Sequence, residues 1–277
     1  MILADALAGY EKELGAVGEE PEALSFVYRG LKHWDLTQFV LHLRQEVTEE
    51  DQKLLSSIFD QLKAHKPAQY ILGFEDFHGL RFQVDERVLI PRPETEELVD
   101  LILAENPKTE LKVLDIGTGS GAISVSLKAS RPHWLVTASD LSAAALELAR
   151  ENAKLNQVDI SFIQSDVFEA ISDSFDIIVS NPPYISENDK DEVGLNVLAS
   201  EPKMALFADE NGLAIYRQII EGAAEYLSPQ GKLYFEIGYK QGQDLKKLLS
   251  LHFPDKCVRV LKDQFGQDRM VVMDDGN

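Results

Sequence analysis

The stretch VLDIGTGSGAIS, residues 113–124, limits the fold more than any other part of the chain. An apolar strand pattern runs into alternate glycines, Gly117, Gly119 and Gly121, and leaves as a helical pattern. Glycine tolerates left-handed backbone, so this run predicts a tight turn whose main chain can approach a ligand. The helix start beyond it offers free N–H groups. The same rhythm then repeats. WLVTASD reads as a strand and SAAALELARENAKLN as a helix; ISFIQSD and FDIIVSN read as strands. Helix GLAIYRQIIEGAAEYL follows a loop, then strand KLYFEIG, helix QGQDLKKLLSLHF and strands CVRVLKD and DRMVVMDD. Strands alternating with helices of this length predict an α/β fold: a doubly wound, mostly parallel sheet with helices on both faces. Ligands of such sheets bind at the carboxyl ends of the strands, near the point where strand order reverses.

The chain before residue 93 reads differently. Segments such as EALSFVYRGLKHW and EEDQKLLSSIFDQLKA carry apolar residues at helical spacing. Thr48, three residues before Asp51, is a capping signal for the latter. A bundle of four or five helices is predicted over 1–70. Residues 69–90 switch to alternation, with Gly73 and Gly79 at turns, which predicts one or two hairpins. The expected organisation is therefore a helical domain over 1–70, a β-hairpin linker over 71–92 and the α/β domain over 93–277. A helix is predicted to begin near Pro93.

Composition narrows the function. The net charge is −20, and residues 1–75 hold seven basic against thirteen acidic residues. Nucleic-acid affinity rests on Lys and Arg neutralising phosphates, so no direct nucleic-acid partner is expected. The single Cys257 excludes an internal disulfide and fits a reducing cytoplasm. Six scattered His and one Cys give no metal-ligand spacing, so no metal is expected. No apolar run is long enough for a bilayer and no signal-peptide pattern opens the sequence, so no membrane partner is expected.

Three predicted strands end in acids, Asp115, Asp140 and Asp166. Asp115 lies two residues before the first glycine, awkward beside a pyrophosphate and suited to an amino-bearing ligand. Asp140 lies where an acid can take both ribose hydroxyls. Asp166 and Phe168 can bracket the edge and face of an adenine. Each has a plainer reading: glycines as turn geometry, Asp140 as a helix cap beside Ser142, Phe168 as core. The fourth strand ends in Asn181, Pro182, Pro183 and Tyr184. Proline fixes φ and lacks an N–H, so this exit is stiff, and the residue before each proline is extended. It reads either as a rigid loop exit with a core tyrosine or as a slot for a planar amide.

VLDIGTGSG, Asp140, SDVF and NPPY together resemble a class I S-adenosylmethionine-dependent methyltransferase, of Rossmann-like, seven-stranded fold. PAQYILG, IPRPETEELV, NPPYI, EPKMALFADENGLAIYRQI, FEIGYKQG and DRMVV resemble the HemK/PrmC family of protein-(glutamine-N5) methyltransferases, from about residue 65 onward. The resemblance implies methyl transfer from S-adenosylmethionine, leaving S-adenosylhomocysteine, to the glutamine of the Gly-Gly-Gln motif in peptide chain release factors. It implies a cofactor site of Asp115, Gly117, Thr118, Gly119, Ser120 and Gly121, then Asp140 with Leu141. Asp166, Val167 and Phe168 would flank the adenine, Phe168 at a position often Trp in relatives. Asn181, Pro182, Pro183 and Tyr184 would bind the substrate amide, with Asn181 also beside the cofactor. Asn181 and Pro182 would accept its N–H groups and Tyr184 would cover its face. No general base is identifiable. A cytoplasmic monomer whose helical domain docks the release factor is expected. The alternatives are an adenine amino methyltransferase acting on DNA or RNA, an NAD-dependent oxidoreductase using Gly117, Gly119 and Ala122 as its fingerprint, and a non-enzymatic scaffold.

Overall fold

A computed structural model of the chain describes residues 1–108 and 110–276. The chain divides into two compact units. The first comprises Met1–Phe74 and Val193–Glu201; the second comprises Glu75–Glu192 and Pro202–Asn277.

The first unit holds helices α1 (Leu3–Ala16), α2 (Ala23–Leu31), α3 (Leu36–His42), α4 (Glu49–Lys63) and α5 (Ala68–Leu72). Leu14, Leu24, Val27, Leu55 and Ile58 form its core. Thr48 starts α4 with a full capping box: its hydroxyl accepts the Asp51 N–H, and Asp51 Oδ2 takes the Thr48 N–H. α5 occupies residues expected to alternate as a strand. Gly73, at φ 79°, ends it in the left-handed conformation. A single hairpin follows, strands β1 (Phe74–Phe77) and β2 (Leu80–Gln83) around Gly79, and nothing between 84 and 92 is a strand.

The second unit begins within that hairpin. Its elements continue as α6 (Pro93–Glu105), β3 (Lys112–Ile116), α7 (Ala122–Ser130), β4 (Leu135–Asp140), α8 (Ala143–Leu155), β5 (Ser161–Gln164) and β6 (Phe175–Ser180). Short helical pieces occupy the segment expected as a loop. These are a 3₁₀ turn over Glu187–Glu192, α9 (Leu195–Ser200), α10 (Lys203–Leu206) and α11 (Asp209–Gly212). Of these, α9 belongs to the first unit, where Ser200 Oγ donates to the His65 carbonyl at 3.1 Å. Then come α12 (Ala214–Tyr226), β7 (Leu227–Glu236), α13 (Gly242–His252), β8 (Cys257–Lys262) and β9 (Asp268–Asp274).

Seven strands form one sheet in the order β5-β4-β3-β6-β7-β9-β8. All neighbours are parallel except β9, which runs antiparallel to β7 and β8. Successive residues of a strand face opposite sides, and both sides here are covered. Val113, Ile177 and Val179 pack against α6 and α7 through Leu98, Val99 and Val125. Leu114, Ile178 and Leu233 pack on the other face against α12 and α13 through Tyr216, Ile219 and Leu245. Strand order reverses between β3 and β6, so their carboxyl ends border one crevice.

Candidate active site

Two chain exits face each other across that crevice. At the end of β3, Gly117 N and Thr118 N both donate to the Ser139 carbonyl at 2.9 Å, and Gly121 N closes a turn on Thr118 O at 2.8 Å. The three glycines have φ of 72°, 55° and 82°. A Cβ on Gly117 or Gly119 would meet no atom within 4 Å, so the backbone there borders open space. A Cβ on Gly121 would come to 3.3 Å from Ala149 and Val125; this glycine seats the turn on α8 and does not line the cleft. Asn152 of α8 secures the turn from behind, donating to the carbonyls of Ser120 at 2.9 Å and Gln83 at 3.0 Å.

Asp140, at the end of β4, lines the cleft. Its Oδ2 accepts the Gly119 N–H at 2.9 Å and its Oδ1 the Ser142 N–H at 2.8 Å. The cap of α8 is Ser142 itself, which accepts the Ala145 N–H. Asp140 thus ties two turns together, and burial raises its carboxyl above the usual range despite those N–H groups. A carboxylate oxygen holds a second lone pair, so both remain able to accept from a ligand. Leu141, Asp166 and Val167 line the same cleft.

Asp115 does not reach it. The residue is fully buried beneath the glycine turn, its Oδ2 accepting Thr118 Oγ1 at 2.6 Å and Ser124 N at 3.2 Å, while Oδ1 has no partner. Burial pushes its carboxyl up to about 6. Asp115 braces Thr118, a cleft residue, from within. Phe168 is also turned away. It is 8% exposed, packs against Gly222 and stacks on Tyr226 at 4.4 Å and 2° between planes. The turn after β5 sets this phase: Val167 takes φ 45°, Ser165 Oγ donates to the Val167 carbonyl, and the side chain presented to the cleft is Val167.

The opposite wall is the β6 exit. Asn181, Pro182 and Pro183 line the cleft; Tyr184 does not. Its ring packs beside Gly238 against the core of the α12 face, and burial pushes its phenol up to about 12. Gln241 latches the loop: its Nε2 donates to the Tyr184 carbonyl at 2.9 Å and its Oε1 accepts the Gly238 N–H at 3.0 Å. Behind Asn181 lie Thr95 of α6 and Glu236 at the end of β7, 4% and 2% exposed. Thr95 Oγ1 donates to Glu236 Oε2 at 2.6 Å, and Asn181 Nδ2 donates to Thr95 Oγ1 at 3.4 Å. Burial pushes the Glu236 carboxyl up to about 7, against the Thr95 hydrogen bond, the charge of Arg269 and a hydrogen bond from Asn181.

The chain matches the PrmC N-terminal domain over residues 5–73 and the methyltransferase small domain over residues 95–209. The release factor glutamine methyltransferase of Streptococcus pneumoniae is 61% identical over 277 residues, covering 100% of this chain and 99% of that one. The chain belongs to the release factor glutamine methyltransferase family. A second member, from Lactococcus lactis, is 50% identical over 260 residues, 94% of this chain and 96% of its own length. The fold extends further: a methyltransferase structure from Pyrococcus furiosus superposes with a TM-score of 0.55 at 20% identity, covering 72% of this chain and 90% of that one. The seven-stranded Rossmann-like sheet expected from the sequence is the one found.

Thr95, Glu236 and Gln241 escaped the sequence reading, although all three lie in the stretches that carry the family resemblance. A glutamate inside the apolar run KLYFEIG was the one local signal. Among the described residues no group of three or more His, Cys, Asp or Glu is placed to hold a metal ion, and no helix is long and apolar enough to cross a membrane.

Two buried acids make stability pH-dependent. Asp115 and Glu236 keep their protons when folded, up to about 6 and about 7, and release them near 4 when unfolded. Their contribution is fully present below the unfolded values and is lost as pH rises through the folded ones. The ligand-free protein should therefore lose on the order of a few kcal/mol between pH about 5 and 8 from these groups. Glu236→Gln should remove the larger part of that loss. Urea melts of both proteins at the two pH values check this, and an unchanged difference between them would refute it.

Proposed function

We propose that this chain transfers the methyl group of S-adenosylmethionine to the side-chain amide nitrogen, N5, of the glutamine in the Gly-Gly-Gln motif of peptide chain release factors, and so tunes translation termination in the cytoplasm. The observation that carries this reading is the juxtaposition of the glycine turn of Gly117 and Gly119 with Asn181 and Pro182 in one cleft. Near-full-length identity to release factor glutamine methyltransferases supports the choice of substrate.

The residues of the cleft fit S-adenosylmethionine. Open space over Gly117 and Gly119 leaves room for its main-chain contact, and the Asp140 oxygens have lone pairs for the ribose hydroxyls. Asp166 and Val167 would border the adenine, a position expected of Phe168. When bound, this group supplies an electrophilic methyl on a positively charged sulfur.

The protein's own task is the acceptor. An amide nitrogen is a poor nucleophile because its lone pair is conjugated with the carbonyl. The Asn181 side-chain oxygen and the Pro182 carbonyl can each accept one N–H of the incoming amide. Two acceptors fix the nitrogen in place and stabilise positive charge growing on it. The proline backbone keeps that carbonyl from reorienting during reaction. Tyr184, expected to cover the amide face, would instead support the loop from below. Incubation with labelled S-adenosylmethionine and a release factor tests the reading; label on the factor that disappears in its Gln→Ala variant is expected.

A further inference from the structure

An asparagine that accepts N–H bonds must show its oxygen, not its nitrogen, to the substrate. The two ends are nearly equal in size, so the surroundings must choose. Behind Asn181 the choice is built in. Glu236 is buried at the end of β7, and when ionised its carboxylate only accepts. Thr95 commits its single hydroxyl proton to Glu236 Oε2 at 2.6 Å. That leaves Thr95 Oγ1 with only lone pairs for Asn181, and Asn181 Nδ2 takes them at 3.4 Å. Asn181 also hydrogen-bonds to Glu236 itself, so two acceptors draw the Asn181 nitrogen inward.

We infer that Glu236 and Thr95 are positioning residues, a relay that sets the polarity of the Asn181 amide so that its oxygen faces the cleft. The inference rests on the reading of Asn181 as an acceptor for the substrate amide, and it deepens that reading. Glu236 does not line the cleft and Thr95 borders it beside Asn181; both act on the substrate amide through Asn181. Other charged groups facing Glu236 are Arg269 on β9 and Glu94 on α6. Arg269 is paired to Asp263 at 3.1 Å, and Tyr216 donates to the Glu236 backbone carbonyl at 2.6 Å, so neither replaces the Thr95 link. A buried acid here is costly to stability, which a purely packing role would not require.

The relay predicts an outcome from an isosteric change. In Glu236→Gln the new amide can donate to Thr95 Oγ1. The Thr95 proton is then free to point at Asn181 Oδ1, and the Asn181 nitrogen turns to the cleft, where it meets the N–H groups of the substrate. Turnover should fall about 10²-fold, the scale of one misplaced dipole. Thr95→Val removes one of the two inward acceptors and leaves Glu236 in place, so it should lose less, up to about tenfold, and Thr95→Ser should restore most of it. Affinity for S-adenosylmethionine by calorimetry should stay within about threefold throughout. Loss by unfolding is separated because Glu236→Gln is expected to be the more stable protein above pH 7.

The relay is read independently of any substrate by NMR exchange of the Asn181 side-chain amide protons in ligand-free protein. These should exchange slowly in the parent and Thr95→Ser, fast in Glu236→Gln, and at an intermediate rate in Thr95→Val, where Glu236 still accepts from Asn181. Equal exchange in all four proteins would overturn the relay whatever the substrate is, as would a Glu236→Gln protein that turns over within about threefold of the parent. A parent protein that labels no release factor, with the exchange differences intact, would instead overturn the substrate reading and leave the relay standing.

Discussion

Asn181→Ala is expected to lower kcat for release-factor methylation by about 10²- to 10³-fold while leaving S-adenosylmethionine affinity nearly unchanged. The size follows from removing one preorganised dipole aimed at charge that develops only as the methyl moves. The preserved affinity follows from the neighbourhood. Thr95 keeps its bond to Glu236 without Asn181, and the glycine turn is held by hydrogen bonds to the Ser139 carbonyl and from Asn152, which do not involve Asn181. Steady-state kinetics with the release factor as varied substrate separates the terms. A fall in kcat/KM carried mainly by KM would mean that Asn181 only binds the amide. Full turnover would show that it does not hold the reacting nitrogen.

The second large effect belongs to Asp140→Ala, which should weaken S-adenosylmethionine binding by about 100-fold or more. Two losses combine. On the proposed reading the ribose hydroxyls would lose their acceptor, and the N–H groups of Gly119 and Ser142 lose the carboxylate that joins their turns. Each unpaired N–H costs roughly 1–3 kcal/mol where water cannot reach it. Asp140→Asn should fall between, because its amide oxygen can still serve one of the two turns. Calorimetry on the ligand-free proteins measures this, and an affinity equal to that of the parent would remove Asp140 from the cofactor site.

Much of the α/β unit was legible because its central parallel strands, β3 and β6, are apolar runs bounded by turn residues. The covered faces of β3 and β6 leave little choice of identity for VLDI and IIVS. The antiparallel β9 between β7 and β8 was not legible, since strand order is set by packing between distant segments. QYIL alternates like a strand but lies in α5: a helix of five residues is too short for periodicity to separate it from a strand, and the left-handed Gly73 serves as its end.

The site was legible where backbone chemistry demands a residue type, as at the glycines, and where a rigid exit is written in prolines. It was not legible where a turn decides which of two neighbours faces outward. Val167 and Phe168 are both apolar, and only the positive φ of Val167 shows which one meets the cleft. Tyr184 is likewise aimed by its latch to Gln241, which lies 57 residues away. Thr95 and Glu236 meet Asn181 from 86 and 55 residues away, and no local spacing pairs them.

The central claim is methyl transfer to a release-factor glutamine through Asn181 and Pro182. Its most direct test is a mass measurement of the intact release factor after incubation with S-adenosylmethionine and the enzyme, followed by fragmentation across the Gly-Gly-Gln motif. The expected result is one added methyl on the glutamine side chain, none on the Gln→Ala factor and almost none with Asn181→Ala enzyme. An unmodified glutamine, with methyl appearing instead on adenine in added DNA or RNA, would contradict it.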